Sequence, residues 1–204
     1  MSKVKFGLSN IKVAPRTESE GTVTYGEVVD IPGAVNLSIE RKSDQNIFYA
    51  DNKAYFTTNS KSSVSLELEI AEIAKDIMLK YLGYVKSKNG TLLETNTAVT
   101  PSFALMFQIE TDEKARKVCY YNCTAVESDE EYSTQEESIE PTTSKLTVTA
   151  IGEDVSDVVV FREIANSGDT NYATFFNTVT VPTVSEEVAQ AIAESIAASK
   201  TVAD

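Results

Sequence analysis

Two cysteines, Cys119 and Cys123, have the type and spacing to bind a metal ion. A Cys-x-x-x-Cys pair supplies two of the four ligands that a structural zinc site takes. If both residues lie in one strand, at about 3.3 Å per residue, they are about 13 Å apart, which is too far for a disulfide. The pair therefore predicts buried or half-buried free thiols, with a zinc site as the alternative, and we expect no metal and no cofactor.

An acidic run, Glu127–Glu140, is the second place where side chains could do chemistry, because it carries seven carboxylates and no basic residue. Paired carboxylates could act as acid–base catalysts or bind calcium. However, a glycosidase pair needs a cleft with substrate-binding groups, and a calcium loop needs a defined ligand spacing with a sharp glycine turn. The run contains no glycine, so the pattern favours a solvated acidic face.

Nucleophilic catalysis lacks its usual base in this sequence. The chain has no histidine, so none of its many serines and threonines has a histidine to activate it. No glycine-rich phosphate loop, zinc motif or nucleophile elbow occurs along the chain. The sequence therefore predicts a protein that is not an enzyme.

The net charge of −13 over 204 residues restricts the partners of the protein. Binding nucleic acid by neutralising phosphates needs clustered Lys and Arg, whereas this charge suits either a surface that repels nucleic acid or simple solubility. No apolar run approaches the ~20 residues of a membrane-spanning helix, and no secretory signal follows the first lysines. We expect synthesis in the cytoplasm and no membrane partner.

The elements that must position these groups are predicted to be mainly β with one flanking α-helix. Residues 34–40 and 64–70 alternate between apolar and polar side chains, which is typical of strands packed on one face and wet on the other. In the first strand, Val35, Leu37 and Ile39 are predicted to face the core. The opposite, polar face of the two strands consists of Asn36, Ser38, Glu40, Ser65, Glu67 and Glu69.

Other segments complete the predicted secondary structure. Helical spacing of apolar residues predicts a helix over residues 71–82, with Gly83 in the position of a left-handed C-terminal cap. Further strands are predicted at residues 23–31, 91–94, 103–110, 117–126 and 145–151.

The segment Arg41–Ser63 is long for a hairpin connection, whose usual length is about 2–5 residues. It is polar, yet it carries four aromatic residues. Long structured loops tend to be functional, and exposed aromatic rings often mark contacts. Two interpretations remain open from spacing alone: the rings contact another molecule, or they fold back on the core of the domain.

Several short motifs follow one another between Lys3 and Pro182. They are Phe6-Gly7-Leu8-Ser9-Asn10, Pro32-Gly33-Ala34-Val35, Phe48-Tyr49-Ala50-Asp51-Asn52, Leu82-Gly83-Tyr84, Pro101-Ser102-Phe103-Ala104-Leu105, Tyr121-Asn122-Cys123, Glu136-Glu137-Ser138-Ile139-Glu140-Pro141 and Phe175-Phe176-Asn177. In this order they resemble siphophage major tail proteins, the subunits of the phage tail tube.

The resemblance implies a β-sandwich or barrel flanked by a helix, with a long extended hairpin loop. It implies rings of six subunits that stack into a hollow tube for DNA, with four strands per subunit joining into a closed inner barrel. The implied partners are the protein itself, the tape measure protein, and the tail terminator and distal tail proteins, while DNA passes without specific binding. The protein would be made in the host cytoplasm and reside in the virion.

The same resemblance assigns roles to residues. The loop that reaches the next ring corresponds to Arg41–Ser63, and its contact residues would be Phe48, Tyr49, Asp51, Asn52, Tyr55 and Phe56. The polar face of the two alternating strands would line the lumen, where its charge would repel DNA phosphates.

The tail-tube domain is predicted to span residues 1–182, followed by a C-terminal tail at residues 183–204. In the tail, Ser185 is placed to cap a helix with Val188, Ile192 and Ile196 at four-residue spacing. This tail could be a docked helix, a segment that is disordered until assembly, or the end of a linker.

Two other functions remain as alternatives. The chain could form the tube of a contractile secretion device or of a phage-derived bacteriocin. It could also be an enzyme or a small-molecule binding domain that resembles tail proteins by chance.

Overall fold

The fold is given by a computed structural model, which describes residues 5–50, 53–96, 99–111, 114–128, 142–156, 158–188, 190–192 and 194. For residues 5–6, 43–50 and 53–61 it describes the backbone alone. The strands are β1 (Lys5–Ser19), β2 (Thr22–Tyr25), β3 (Val29–Asp30), β4 (Ala34–Ala50), β5 (Lys53–Ile70), β6 (Val85–Lys86), β7 (Leu92–Leu93), β8 (Phe103–Thr111), β9 (Arg116–Glu127), β10 (Ser144–Ala150), β11 (Glu153–Val155), β12 (Val158–Val160) and β13 (Arg162–Asn166). Helix α1 spans Lys75–Tyr81, and residues 186–188, 190–192 and 194 are also helical.

One large antiparallel sheet dominates the fold, with the strand order β2-β1-β8-β9-β10-β5-β4. Strand β3 also pairs with β1, β13 pairs with β9, and β6-β7 and β11-β12 form two small separate sheets. The prediction of a mainly β protein is confirmed. The described strands do not close into a barrel, because β2 and β4 end the order without pairing with each other.

The sheet curves so that its two ends enclose one hydrophobic core. Val13 of β1 and Leu68 of β5 belong to the same buried cluster, although three strands separate β1 from β5 in the sheet. Helix α1 closes this core with Ile77 and Tyr81, which are 5% and 2% exposed. Burying each such side chain contributes about 1.5–3 kcal/mol, so this sandwich-like packing is the main source of stability.

The opposite face of part of the sheet is covered as well. A second buried cluster contains Ala14, Met106, Cys119 and Tyr121, and Phe175 packs against it. Strands β1, β8 and the first half of β9 are therefore buried on both faces, which explains why they do not show the simple alternation of a half-exposed strand.

Helix α1 is shorter than the predicted helix at residues 71–82. It begins at Lys75, because the backbone N–H of Ala71 donates to the carbonyl of Gly33 at 2.8 Å and holds the preceding residues extended. Ile73 is buried from this extended segment, so its match to helical spacing was misleading. The end of the helix is as predicted: Gly83 has a φ of +78°, in the left-handed region.

The alternation predicted for residues 64–70 is confirmed, and that for residues 34–40 is confirmed except at its start. The register passes from Ala34↔Ile70 to Asn36↔Glu69, which leaves Val35 as an extra residue. Such a β-bulge turns the side chain away from its expected face. Val35 is accordingly 56% exposed, and its predicted core position is wrong.

Strand β1 has no counterpart among the predicted strands. Its pairing with β8 shifts register twice, beside Gly7 (φ +68°) and Asn10 (φ +52°). Each shift moves the following side chains to the other face, which removes any continuous alternation from the sequence. The strand predicted at residues 23–31 is broken into β2 and β3, with Gly26 between them bonded to the carbonyl of Pro15.

Candidate assembly interface

The segment predicted as a long loop, Arg41–Ser63, is the distal part of a long β-hairpin. Strands β4 and β5 remain paired out to Ala50↔Lys53, and the connection between them is reduced to residues 51–52, which lie outside the described residues. Pairing with the opposite strand satisfies the backbone N–H and C=O groups that point towards that strand, whatever the side chains are. The polar composition that suggested a loop is therefore compatible with strands. We call residues 41–63 the distal hairpin.

The distal hairpin extends beyond the rest of the sheet. Strand β10 pairs with β5 only over Val64–Ile70, so among the described strands the distal hairpin pairs only with itself. At about 3.3 Å per residue, its ten residues per strand project about 30 Å. An isolated two-stranded hairpin is marginally stable in water, and both of its edges carry unpaired backbone groups. This geometry suits a hairpin that is supported by another molecule.

The predicted contact residues of the hairpin fall near its tip. Phe48 faces Phe56 in the register, and Tyr49 faces Ala54, so Tyr55 is the extra residue of a bulge. Asp51 and Asn52 lie outside the described residues. The backbone thus brings the four aromatic positions together at the end of the projection, which linear spacing did not reveal.

The six predicted lumen residues form one polar patch near the base of the hairpin. They are cross-strand neighbours in three pairs: Asn36↔Glu69, Ser38↔Glu67 and Glu40↔Ser65. Asn36, Ser38, Glu40 and Glu67 are exposed, and the other two are half-buried. The strand alternation therefore places all six on the face opposite the core.

Strand β10 adds three residues to this patch that the sequence analysis did not assign to it. Lys145, Thr147 and Thr149 lie opposite Glu69, Glu67 and Ser65 in the register. The alternation within the predicted strand 145–151 indicates that Lys145, Thr147 and Thr149 share one face. Only the pairing of β10 with β5 shows that this face continues the polar patch. We call the nine residues the polar face.

The charge of the polar face is negative. It contains three carboxylates (Glu40, Glu67 and Glu69) and one ammonium group (Lys145), so its net charge is −2. Lys145 Nζ lies 3.6 Å from Glu67 Oε1, with both side chains about half exposed. A pair this exposed contributes about 0–1 kcal/mol, so the face remains an acidic surface and is not a folding element.

The two cysteines are buried free thiols, as predicted. They do not share a face, because Asn122 has a φ of +49° and the pairing of β9 with β8 shifts register at this point. Cys119 therefore packs in the second cluster and Cys123 in the main core. The described residues contain no group of three or more His, Cys, Asp or Glu side chains that could hold a metal ion.

Alkaline pH is expected to destabilise the subunit through these thiols. Burial raises the pKa of Cys123 to about 12 and also raises the pKa of Cys119. As the pH rises, the thiols of the unfolded chain, with a pKa near 8.5–9, lose their protons before those of the folded chain. The contribution of the buried thiols to the free energy of unfolding is therefore fully present below about pH 9 and declines as the pH rises towards about 12. At about 1.4 kcal/mol per pH unit, Cys123 alone accounts for a decline of about 4 kcal/mol.

Denaturant unfolding at pH 7 and pH 10.5 checks this expectation with the variant Cys119→Ala/Cys123→Ala. At pH 7 the variant should lose about 1–2 kcal/mol of packing and still assemble. Between the two pH values it should lose less stability than the wild type. An equal decline in both proteins would contradict the assignment to the thiols.

A buried ion pair, Arg16–Glu153, is linked to the second cluster through Tyr25. The Arg16 guanidinium donates two hydrogen bonds to the Glu153 carboxylate, one of them from Nη2 to Oε2 at 3.1 Å, and the Tyr25 hydroxyl donates to Glu153 Oε1 at 2.8 Å. The side chains of Arg16 and Glu153 are only 10% and 4% exposed. This network ties β1, β2 and β11 together, and Arg16 Nη2 also donates to the carboxylate of Glu18 at 2.9 Å.

Two open clefts lie on the surface of the described residues. One, of about 400 Å³, lies over Cys119 and Tyr121 beside Phe175. The other, of about 320 Å³, lies between the base of the distal hairpin and β12-β13, and it contains Arg41, Lys42 and Arg162. No described helix is long and apolar enough to span a membrane.

Comparison with known proteins identifies one family. The family model described as phage tail tube protein matches residues 36–184, which is well over half of the chain. The matched region begins in β4 and includes the long hairpin, helix α1 and strands β8–β13. A search of the curated proteins finds no match.

Proposed function

Because the chain belongs to the phage tail tube protein family, and is thus a structural component of a phage tail, we propose that it forms the tail tube of a long, non-contractile-tailed phage. In this proposal, six subunits form a ring, and the rings stack into a hollow tube through which DNA is delivered. The observation that carries the proposal is the distal hairpin, which projects about 30 Å from the sheet and pairs only with itself among the described strands.

The distal hairpin is the proposed contact between rings. Its projecting strands are marginally stable without support, and contact with the next ring would supply that support. Phe48, Tyr49, Tyr55 and Phe56 would bury apolar surface there, at about 1–3 kcal/mol for each side chain. Asp51 and Asn52 would complete the tip.

The free edge of β4 is the proposed contact within a ring. Strand β4 ends the strand order, so its outer edge has no partner among the described strands. An edge of this length would promote uncontrolled pairing unless another strand covers it. Strand pairing between neighbouring subunits would cover this edge and join β4, β5, β10 and β9 of each subunit into a closed inner barrel.

The polar face is then the proposed lining of the lumen. It lies on the solvent side of three of these strands, β4, β5 and β10, and carries a net charge of −2. Repeated six times around a ring, this charge would repel DNA phosphates and allow the genome to slide. The partners in the assembly would be further copies of the chain, the tape measure protein, and the terminator and distal tail proteins, in a virion assembled in the host cytoplasm.

Electron microscopy of the concentrated purified protein tests the proposal. Hollow tubes of stacked rings are expected, with the polar face towards the channel in a reconstruction. Protein that remains monomeric by light scattering at all concentrations would contradict self-assembly. A reconstruction with the polar face packed between subunits, or with lysines lining the channel, would contradict the proposed lumen.

A further inference from the structure

A basic cleft lies where the distal hairpin leaves the sheet. Arg41 and Lys42 reach it from β4, and Arg162 reaches it from β13. The floor is formed by Tyr120, whose hydroxyl accepts a hydrogen bond from Arg162 Nη1 at 3.3 Å and whose ring lies 5.9 Å below the guanidinium. None of the described residues that line the cleft carries a carboxylate. Three cations are therefore concentrated at one place in a protein whose net charge is −13.

These cations are exposed and available to bind an anion. Arg41, Lys42 and Arg162 are all exposed. Among the described residues, none of the three forms an ion pair with a carboxylate. Arg162 is held in place by Tyr120, so it requires little ordering to bind a ligand.

The acidic run leaves the sheet at the opposite end. The described chain stops at Ser128, just after Glu127, which lies opposite Leu146. It resumes at Thr142, just before β10, whose first residue Ser144 lies opposite Ile70. The basic cleft begins beside Val64, which lies opposite Arg41. Val64 and Ile70 are six positions apart in β5, which corresponds to about 20 Å at about 3.3 Å per residue.

Resting on the proposed stacking of rings, we infer that the basic cleft binds the acidic run of a subunit in the next ring. Complementary surfaces at opposite ends of one subunit make a heterologous, head-to-tail contact, and such a contact repeats without limit along a tube. The hairpin projects from the end that carries the cleft, so both would face the same neighbouring ring. Glu127 is held in β9 by the Tyr84 hydroxyl, and the rest of the run supplies six carboxylates for the three cations.

Binding within one subunit is disfavoured by chain length. The residues between Ser128 and Thr142 form a connection anchored at both ends, so its midpoint reaches about 23 Å when fully extended. Folding back over about 20 Å to the cleft of the same subunit would use nearly all of this reach and much of the conformational entropy of the segment. In the proposed stack, the end of one subunit that carries the run faces the end of the next subunit that carries the cleft, so the run can bind there without folding back along its own sheet.

Charge reversal tests the contact. Arg41→Glu/Lys42→Glu leaves Arg162 on Tyr120, so the subunit should remain folded, and it should raise the critical concentration for tube growth at least about tenfold through like-charge repulsion. Adding Glu130→Lys, Glu131→Lys, Glu136→Lys and Glu137→Lys in the same chain makes the run net positive and should restore growth, because the charges of both surfaces are then reversed. The control Lys86→Glu/Lys88→Glu changes two exposed lysines outside the cleft and should assemble like the wild type.

Each result decides the inference. Unchanged growth of the cleft variant, equal loss in the lysine control, or no rescue by the chain with both surfaces reversed would overturn it. If the cleft variant does not fold, the variant Glu130→Lys/Glu131→Lys/Glu136→Lys/Glu137→Lys alone should show the same loss with an intact cleft, and normal growth would overturn the inference.

Cross-linking identifies the occupant directly. In tubes grown from isotope-labelled and unlabelled chains, a carbodiimide should join the Lys42 amine to carboxylates of the acidic run in peptides that combine both labels. Cross-links confined to one label would show binding within a subunit and overturn the inference. Tubes that never form from the wild type would instead contradict the proposed function itself.

Discussion

Replacing residues 43–62 with Asn-Gly is expected to give a folded subunit that does not elongate into tubes. Lys42 and Ser63 face each other in the register, so a two-residue turn can join them, and Asn-Gly favours the type I′ turn that such a hairpin needs. The part of β5 that packs in the core begins at Val64, so the replacement leaves it intact. The expected result is an unchanged unfolding transition with loss of tubes in electron micrographs, because every ring would lose six projecting contacts.

A milder variant separates the aromatic residues from the hairpin backbone. Phe48→Ala/Phe56→Ala removes one facing pair of aromatic rings near the tip. Because each ring is proposed to bury apolar surface against the next ring, the variant should weaken the contact between rings by about 1–3 kcal/mol per side chain. Gln45→Ala/Asn59→Ala changes a facing polar pair in the same hairpin and serves as its matched control. Tubes of normal length from the shortened chain would mean that the hairpin is not the stacking element.

The second large effect is expected for Glu153→Ala, which should destabilise the subunit by about 3–5 kcal/mol. The substitution leaves the Arg16 guanidinium buried without its main partner and removes the acceptor of the Tyr25 hydroxyl. A buried charge without a partner is costly in free energy, whereas the pair itself adds little compared with apolar residues. Denaturant unfolding of the unassembled subunit measures the loss.

Glu18→Ala provides the matched control for this ion pair. Glu18 accepts from the same Arg16 guanidinium at 2.9 Å, but its side chain is 54% exposed. Its removal should therefore cost only about 0–1 kcal/mol. Equal losses in the two variants would show that burial does not set the strength of the Arg16 contacts.

The features that depend on local periodicity and composition could be predicted from the amino-acid sequence. Alternation over residues 64–70 predicted both the buried and the polar face of β5, because side chains in a regular strand must alternate between faces. The lack of histidine removes the commonest general base, and the spacing of the two cysteines favoured the buried free thiols that the structure shows. The motif order identified the tail-protein family, which the family model supports over residues 36–184.

The contacts between segments that are distant in the sequence could be identified only from the tertiary structure. Register shifts at Val35 and Asn122 move side chains between faces, and a one-residue shift leaves no mark in the composition of a strand. The resemblance implied an extended hairpin at residues 41–63, but periodicity did not predict its strands, because two polar strands that pair only with each other among the described strands lack the apolar alternation by which strands are recognised. Arg16 bonds to Glu153, and Arg41 and Arg162 line one cleft, although the members of each pair are more than 100 positions apart, which no local pattern encodes.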